Sequence, residues 1–219
     1  MSFPGRFPAS RKNGNPTKII GIDLAGSPHR PTGFCRIEGS QVFLQVLFTD
    51  EEIIQEVLAA GPELVAVDAP LSLPPGRQAI HERNAFHFRP CDLELRKRGI
   101  KFFPVTLGPM RMLTERGLRL KERLRKNGLE VVEIYPGGAQ DIWKLPRARR
   151  DRAKLQSGLL KKLSQDFGLS LVGPQKPEEN FSPDELDALT AALVGFLYWQ
   201  GRAEIYGQEP WIIVMPGNS

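Results

Sequence analysis

Five carboxylates stand where carboxylates are uncommon or come in pairs. Asp23 closes the apolar run of KIIGIDLA (18–25), and Asp68 closes that of ELVAVDA (63–69). Strand interiors are depleted in Asp, and a buried carboxylate without a partner is costly. Each therefore calls for a metal, an arginine or backbone donors; the plainer use of a short acid there is to cap the following turn. Asp184 and Asp187 lie three apart, which puts both on one face of a helix. Asp184 in a first helical turn also suits the helix dipole, whereas Asp187 sits deeper, beside Ala188, Leu189, Ala191 and Ala192. Glu133 lies in LEVVEIY, where alternation alone lets it face outward or join the others. Converging from three strand ends and a helix, these acids make a pocket for hard cations that prefer oxygen. Two Mg²⁺ or Mn²⁺ ions about 3.5–4 Å apart can clamp the attacking water and the leaving oxygen of a phosphodiester. Asp23, Asp68 and Asp187 are the expected metal ligands; Glu133 and Asp184 are the acids left to orient water. Cys35 and Cys91 match no zinc spacing, and no His–Cys cluster offers a softer site.

The elements that must position these acids follow from pattern. Lys18 to Ala25 reads as a buried strand, and Thr32 to Glu38 and Gln41 to Phe48 as two more around a Gly39-Ser40 turn. Thr49 to Glu52 matches a capping box, and Ile53, Ile54, Val57 and Leu58 follow at helical spacing until Gly61-Pro62. Glu63 to Ala69 is a fourth strand, so strand, helix, strand implies a parallel crossover. Leu71 to Pro90 is a long polar loop. Cys91 to Arg98 reads as a short helix and Thr106 to Lys126 as a longer one, broken or bent near Gly117. Leu129 to Tyr135 is a fifth strand, and Arg150 to Phe167 a basic helix. Ser182, Pro183 and Glu185 start a final helix that runs to about Gln200, and Trp211 to Met215 is a further edge strand. The order predicts an α/β domain with a mixed five-stranded sheet, helices on both faces and a basic helical insert over about 71–128.

The chain has 219 residues, 41% of them hydrophobic, enough for one domain with a sizeable core, expected over 17–219. Residues 1–16 are basic and rich in Pro and Gly without a signal peptide's apolar middle, so they read as a disordered tail on a cytoplasmic protein. No apolar run approaches the roughly 20 residues that span a bilayer. The net charge is +5, but 20 Lys and Arg face only 8 Asp and Glu between Arg89 and Lys162. A basic surface beside an acidic site suits a phosphate-rich polymer, DNA or RNA; a set of solvated helix faces is the bland account of the same residues. Arg89, Arg96 and Arg111 are the candidate phosphate contacts.

GIDLAG at Asp23, VDAPL at Asp68, RPCDLELR from Arg89 to Arg96, EIYP from Glu133 and LDALTAAL at Asp187 together resemble an uncharacterised family of predicted nucleases. That family has a ribonuclease H-like fold and is related to Holliday-junction resolvases. The resemblance covers about Lys18 to Met215. It implies that Asp23, Asp68 and Asp187 are the acids of the first strand, fourth strand and last helix, with Asp184 as a fourth, and that the assembly is a homodimer. Ribonuclease H itself has a Glu on its first helix. Here that helix carries only Glu51, Glu52 and Glu56 on what reads as its solvent face, which favours a resolvase-like arrangement over hybrid cleavage. Within RPCDLELR, Asp92 pairs with an arginine on either reading, phosphate clamp or structural ion pair. Two other activities share the pattern. An actin-like ATP-dependent phosphotransferase also places an Asp on its first strand, and nucleotide binding separates it from a nuclease. A non-catalytic nucleic-acid or protein-binding module would bind in a salt-dependent way without metal-dependent turnover.

Overall fold

The computed structural model describes residues 18–172 and 181–217; the expected basic tail over 1–16 lies outside them. β1 (Lys18–Asp23), β2 (Thr32–Glu38) and β3 (Gln41–Leu47) form the expected antiparallel meander. α1 (Asp50–Ala60) begins at Thr49 with both halves of the capping box in place and ends at Gly61 in the left-handed conformation, which glycine adopts without steric cost. β4 (Leu64–Asp68) then pairs parallel to β1, with Asp23 directly opposite Asp68.

The connection to β5 (Val131–Glu133) carries α2 (Pro90–Lys97) and α3 (Gly108–Lys126). α3 is unbroken, contrary to the expected bend at Gly117. That glycine serves close approach: a Cβ there would lie 2.9 Å from the Ala69 Cβ and the Pro70 carbonyl. β5 is followed at once by α4 (Pro136–Ile142), which sequence did not foresee, and by α5 (Ala148–Gln165). α5 breaks at Asp151, whose carboxylate caps the Lys154 amide at 2.9 Å, so the continuous part starts close to the expected Arg150. A two-residue β6 (Ser170–Leu171) precedes α6 (Pro183–Trp199), capped by Ser182 and Glu185 as expected.

The main sheet therefore has six strands among the described residues rather than five, in the order β5-β4-β1-β2-β3-β6. β4 and β5 run parallel to β1, and the meander lies on the other side. This is the ribonuclease H-like arrangement. The C-terminal strand does not join the sheet edge. β8 (Trp211–Pro216) pairs with β7 (Ala203–Gln208) in a separate hairpin and meets the main sheet through the Ile134–Val214 bridge.

The two faces of the sheet are sorted by strand alternation. Ile19, Cys35, Leu64, Ala66 and Val132 pack under α5 and α6. Ile20, Ile22, Phe34, Val65, Val67 and Val131 pack with Ile53, Val57, Leu120 and Leu124 from α1 and α3. Side chains two apart share a face. Asp23 and Asp68 therefore belong to the α6 face, with Gly21 and Ala66, whereas Glu133 belongs to the opposite face, with Val131. No helix among the described residues is long and apolar enough to cross a membrane.

Candidate functional site

Asp23 and Asp68 terminate adjacent parallel strands, which lie about 4.8 Å apart. α6 brings its acids to the same spot because two glycines let its backbone touch the sheet. Gly33 is the register partner of Asp23 on β2, and a Cβ there would sit 1.9 Å from the Asp184 carbonyl oxygen. At Gly21 a Cβ would lie 2.3 Å from the Ala188 carbonyl and 2.4 Å from the Ala192 amide nitrogen. Hydrogens at both positions allow the first two turns of α6 to cross β1 and β2, with Asp184 and Asp187 over the strand end.

The four aspartates are each half-buried and act on one another. Asp23 is held well above the ordinary carboxylate range by burial and then by the charges of Asp68, Asp187 and Asp184, with Arg30 opposing. Asp68 is raised in the same way, by burial and then by Asp187 and Glu133, with Arg147 opposing. Burial also pushes Asp187 up to about 6, against the Gln140 hydrogen bond and with Asp184 adding to the rise. Asp184 is raised by burial, with Arg30 opposing. Gln140, 1% exposed, donates to Asp187 Oδ1 at 2.6 Å and to Thr190 Oγ1 at 3.2 Å, fixing the Asp187 rotamer. Among the described residues, the Asp23 and Asp68 carboxylates have no hydrogen-bond or ion-pair partner. Nor, among those residues, are three His, Cys, Asp or Glu side chains already drawn together as a finished metal site. The donor set is nevertheless all oxygen, anionic and short of positive charge, which is the chemistry a hard divalent cation relieves.

Glu133 stands apart. Arg89 grips it bidentately at 2.7 and 2.8 Å, the Leu71 amide donates to it at 2.7 Å, and Arg89 also binds Asp92 at 2.8 Å. Arg89 and Asp92 are each 2% exposed, and Glu133 6%. The Arg89 guanidinium is thus fully engaged inside the protein and does not meet phosphate, contrary to expectation; the RPCDLELR motif forms a buried ion triad that locks α2 to β5. Arg96 is exposed and stacks over Phe88 at 4.3 Å, and exposed Arg111 donates to the Thr106 carbonyl at 2.8 Å. The cations that act on the aspartates are instead Arg30, Arg147 and Arg149. Arg147 is held by Asp141 and donates to the Tyr135 hydroxyl at 3.0 Å. Glu51, Glu52 and Glu56 on α1 are exposed, and Glu52 is engaged in the α1 cap.

Sequence reasoning missed Gln140, Arg147 and Arg116. The last is 1% exposed and donates to the Ala25 and Phe48 carbonyls and to Asp50, at 2.6–2.7 Å, pinning the loop just beyond Asp23. No local pattern marks any of the three, because the groups they act on, the Asp187 and Asp68 carboxylates and the Ala25 and Phe48 carbonyls, are distant in sequence.

No curated protein sequence matches the chain. Among solved structures, it is similar to the yeast mitochondrial Holliday junction resolvase Ydc2, at 16% identity and a TM-score of 0.43, over 87% of this chain and 82% of that one. A family model does match, over residues 21–211, a span that holds Asp23, Asp68, Glu133, Asp184 and Asp187. The chain belongs to that family, DUF429, whose members are described as proteins of unknown function.

Proposed function

We propose that the protein is a metal-dependent nuclease that hydrolyses phosphodiester bonds of DNA or RNA. The observation that carries this reading is the pair Asp23 and Asp68. They are in register at adjacent parallel strand ends, half-buried, and without a counter-ion bonded to them among the described residues. Structural acids in proteins are paired or hydrogen-bonded, as Glu133 and Asp92 are here.

Asp23, Asp68 and Asp187 would hold Mg²⁺ or Mn²⁺. Such ions, when bound, polarise the phosphoryl oxygens and supply a nucleophile at neutral pH. Asp184, at the rim of the cluster, accepts the proton of the attacking water. Gln140 holds Asp187 in one rotamer, a role that outer-shell partners of metal ligands commonly play. Arg30, Arg147 and Arg149 offset the acidic charge at the rim and draw a phosphate backbone toward it. We further propose a homodimer, which sedimentation velocity tests directly.

The test is Mn²⁺-dependent cleavage of labelled single-stranded, duplex and branched DNA and RNA by the wild type and by Asp23→Asn. The substitution is expected to abolish cleavage and weaken Mn²⁺ binding, read by electron paramagnetic resonance, with an unchanged circular dichroism spectrum. Full activity in Asp23→Asn would remove the aspartate cluster from the reaction.

A further inference from the structure

Next to the aspartates lies a second recess. It has a volume of about 160 Å³ and is lined, besides Asp68, by Phe102, Phe103, Met110, Leu113 and Tyr135. Its walls are mostly apolar. Arg89, Asp92 and Glu133 reach into it, but their charges are spent on one another. The recess is about half the size of the smallest sites that take drug-sized ligands, about 300 Å³, so it suits one planar ring system rather than a whole nucleoside.

Three observations select the occupant. First, Phe103 is 68% exposed, and five of the eight large exposed hydrophobics among the described residues (Phe86, Leu93, Phe103, Leu107 and Met112) belong to the segment between β4 and β5. Second, the Tyr135 wall is tied to the insert and to a cation that acts on the aspartates: its hydroxyl donates to the Lys101 carbonyl at 2.6 Å and accepts from Arg147 at 3.0 Å. Third, the surrounding stretch from Arg89 to Lys162 is strongly basic, which suits a ligand with a phosphate backbone and an aromatic base.

We infer that this recess takes one unpaired nucleobase, stacked on Phe103, of the nucleic acid whose backbone lies at the aspartates. The inference rests on the nuclease reading and narrows its substrate class to nucleic acid with an unpaired nucleotide beside the scissile phosphate. Every base has a π-face, and of the charged groups that line the recess Arg89, Asp92 and Glu133 are already paired with one another while Asp68 belongs to the aspartate cluster, so recognition is by stacking and tolerates any base.

The experiment measures the affinity of the full chain carrying Asp23→Asn, in EDTA at fixed salt, for a fluorescein-labelled duplex with one unpaired thymine and for the same duplex fully paired. The unpaired duplex is expected to bind about ten-fold tighter or more. Phe103→Ala in the same background should cut that preference by about 5- to 150-fold or bring it to unity, the range for losing one base–aromatic stack. Leu58→Ala, an exposed apolar position on α1, should leave the preference intact. Equal affinity for both duplexes, as for a recess that accepts a side chain of a protein partner, overturns the inference, and so does a preference that survives Phe103→Ala. Absence of Mn²⁺-dependent cleavage by the wild-type chain, with the Phe103-dependent preference intact, would instead sink the nuclease reading and leave the base site standing.

Discussion

Replacing Asp187 by Asn should make the metal-free protein more stable at pH 8 while depriving it of ion binding. The Asp187 carboxyl sits at about 6 against an ordinary 3.8, and each pH unit is worth about 1.4 kcal/mol. Ionising it in the native protein therefore costs about 3 kcal/mol. The sign follows from the rise. A raised carboxyl favours the native state most at low pH, and that stability is lost as pH climbs from about 4 through about 6. Asn carries no charge yet keeps an Oδ1 for the Gln140 amide to donate to. Asp187 is only half-buried, so water screens part of the cost, and about 1–3 kcal/mol is the expected gain at pH 8. For a chain of this size that is a rise in Tm of roughly 2–12 °C. Thermal unfolding in EDTA at pH 8, 6 and 4 should show the advantage of Asp187→Asn shrinking toward zero as pH falls. Saturating Mn²⁺ should raise the wild type, by about 2.7 kcal/mol at a hundred times Kd, and barely move the variant. A variant less stable than wild type at pH 8, or one with the same advantage at pH 4 and pH 8, would refute the reasoning.

Arg89→Met removes the only cation of a buried triad and leaves Asp92 and Glu133 facing each other; urea unfolding should show a loss of about 3–5 kcal/mol, partly restored by adding Glu133→Gln. Gly33→Ala forces a Cβ to within 1.9 Å of the Asp184 carbonyl and should cost more than about 2 kcal/mol by the same measurement; Gly26→Ala, whose nearest neighbour would be 3.6 Å away, is the tolerated control. Gln140→Ala withdraws the hydrogen bond that opposes the rise at Asp187, so its carboxyl should titrate above about 6 by carbon-13 NMR. The same variant should bind Mn²⁺ about 10- to 100-fold more weakly.

The elements legible in the sequence were those whose signals are local. The capping boxes at Thr49 and Ser182 and the β-branched runs of β1 and β4 state their own structure, and all are found where expected. α4 was not legible because PGGAQDI holds two glycines in seven residues; packing under α6 makes it a helix, not propensity. β8 was legible as a strand, but its partner was not, since the pairing with β7 is a relation between two strands and is written within neither. Gly117 was misread for a related reason. A glycine inside a helical pattern marks either a break or a close contact, and only the neighbour, here Ala69 and Pro70, tells which.

The carboxylates divide along the same line. Asp23 and Asp68 could be picked out by an acid closing an apolar run, but nothing in that signal distinguishes them from Glu133, which sits in an equally apolar strand. The difference is parity. Val67 is the register partner of Glu133, so Glu133 faces the side of Val67, and Asp68, one residue on, faces the other. On the Glu133 side, Arg89 engages two acids and the Ser72 hydroxyl with its guanidinium, leaving charge that is buried but answered. On the Asp68 side, α6 adds two further acids to the two of the sheet, and the only side-chain amide that reaches them directly among the described residues, from Gln140, is neutral. A fold that devotes a fully buried arginine to one pair of acids could have neutralised the other cluster in the same way. Its arginines on that side, Arg30, Arg147 and Arg149, stay at the rim and reach the acids only through the field. The native protein thereby keeps, at Asp187 alone, a cost of about 1–3 kcal/mol at neutral pH, which a divalent cation would offset.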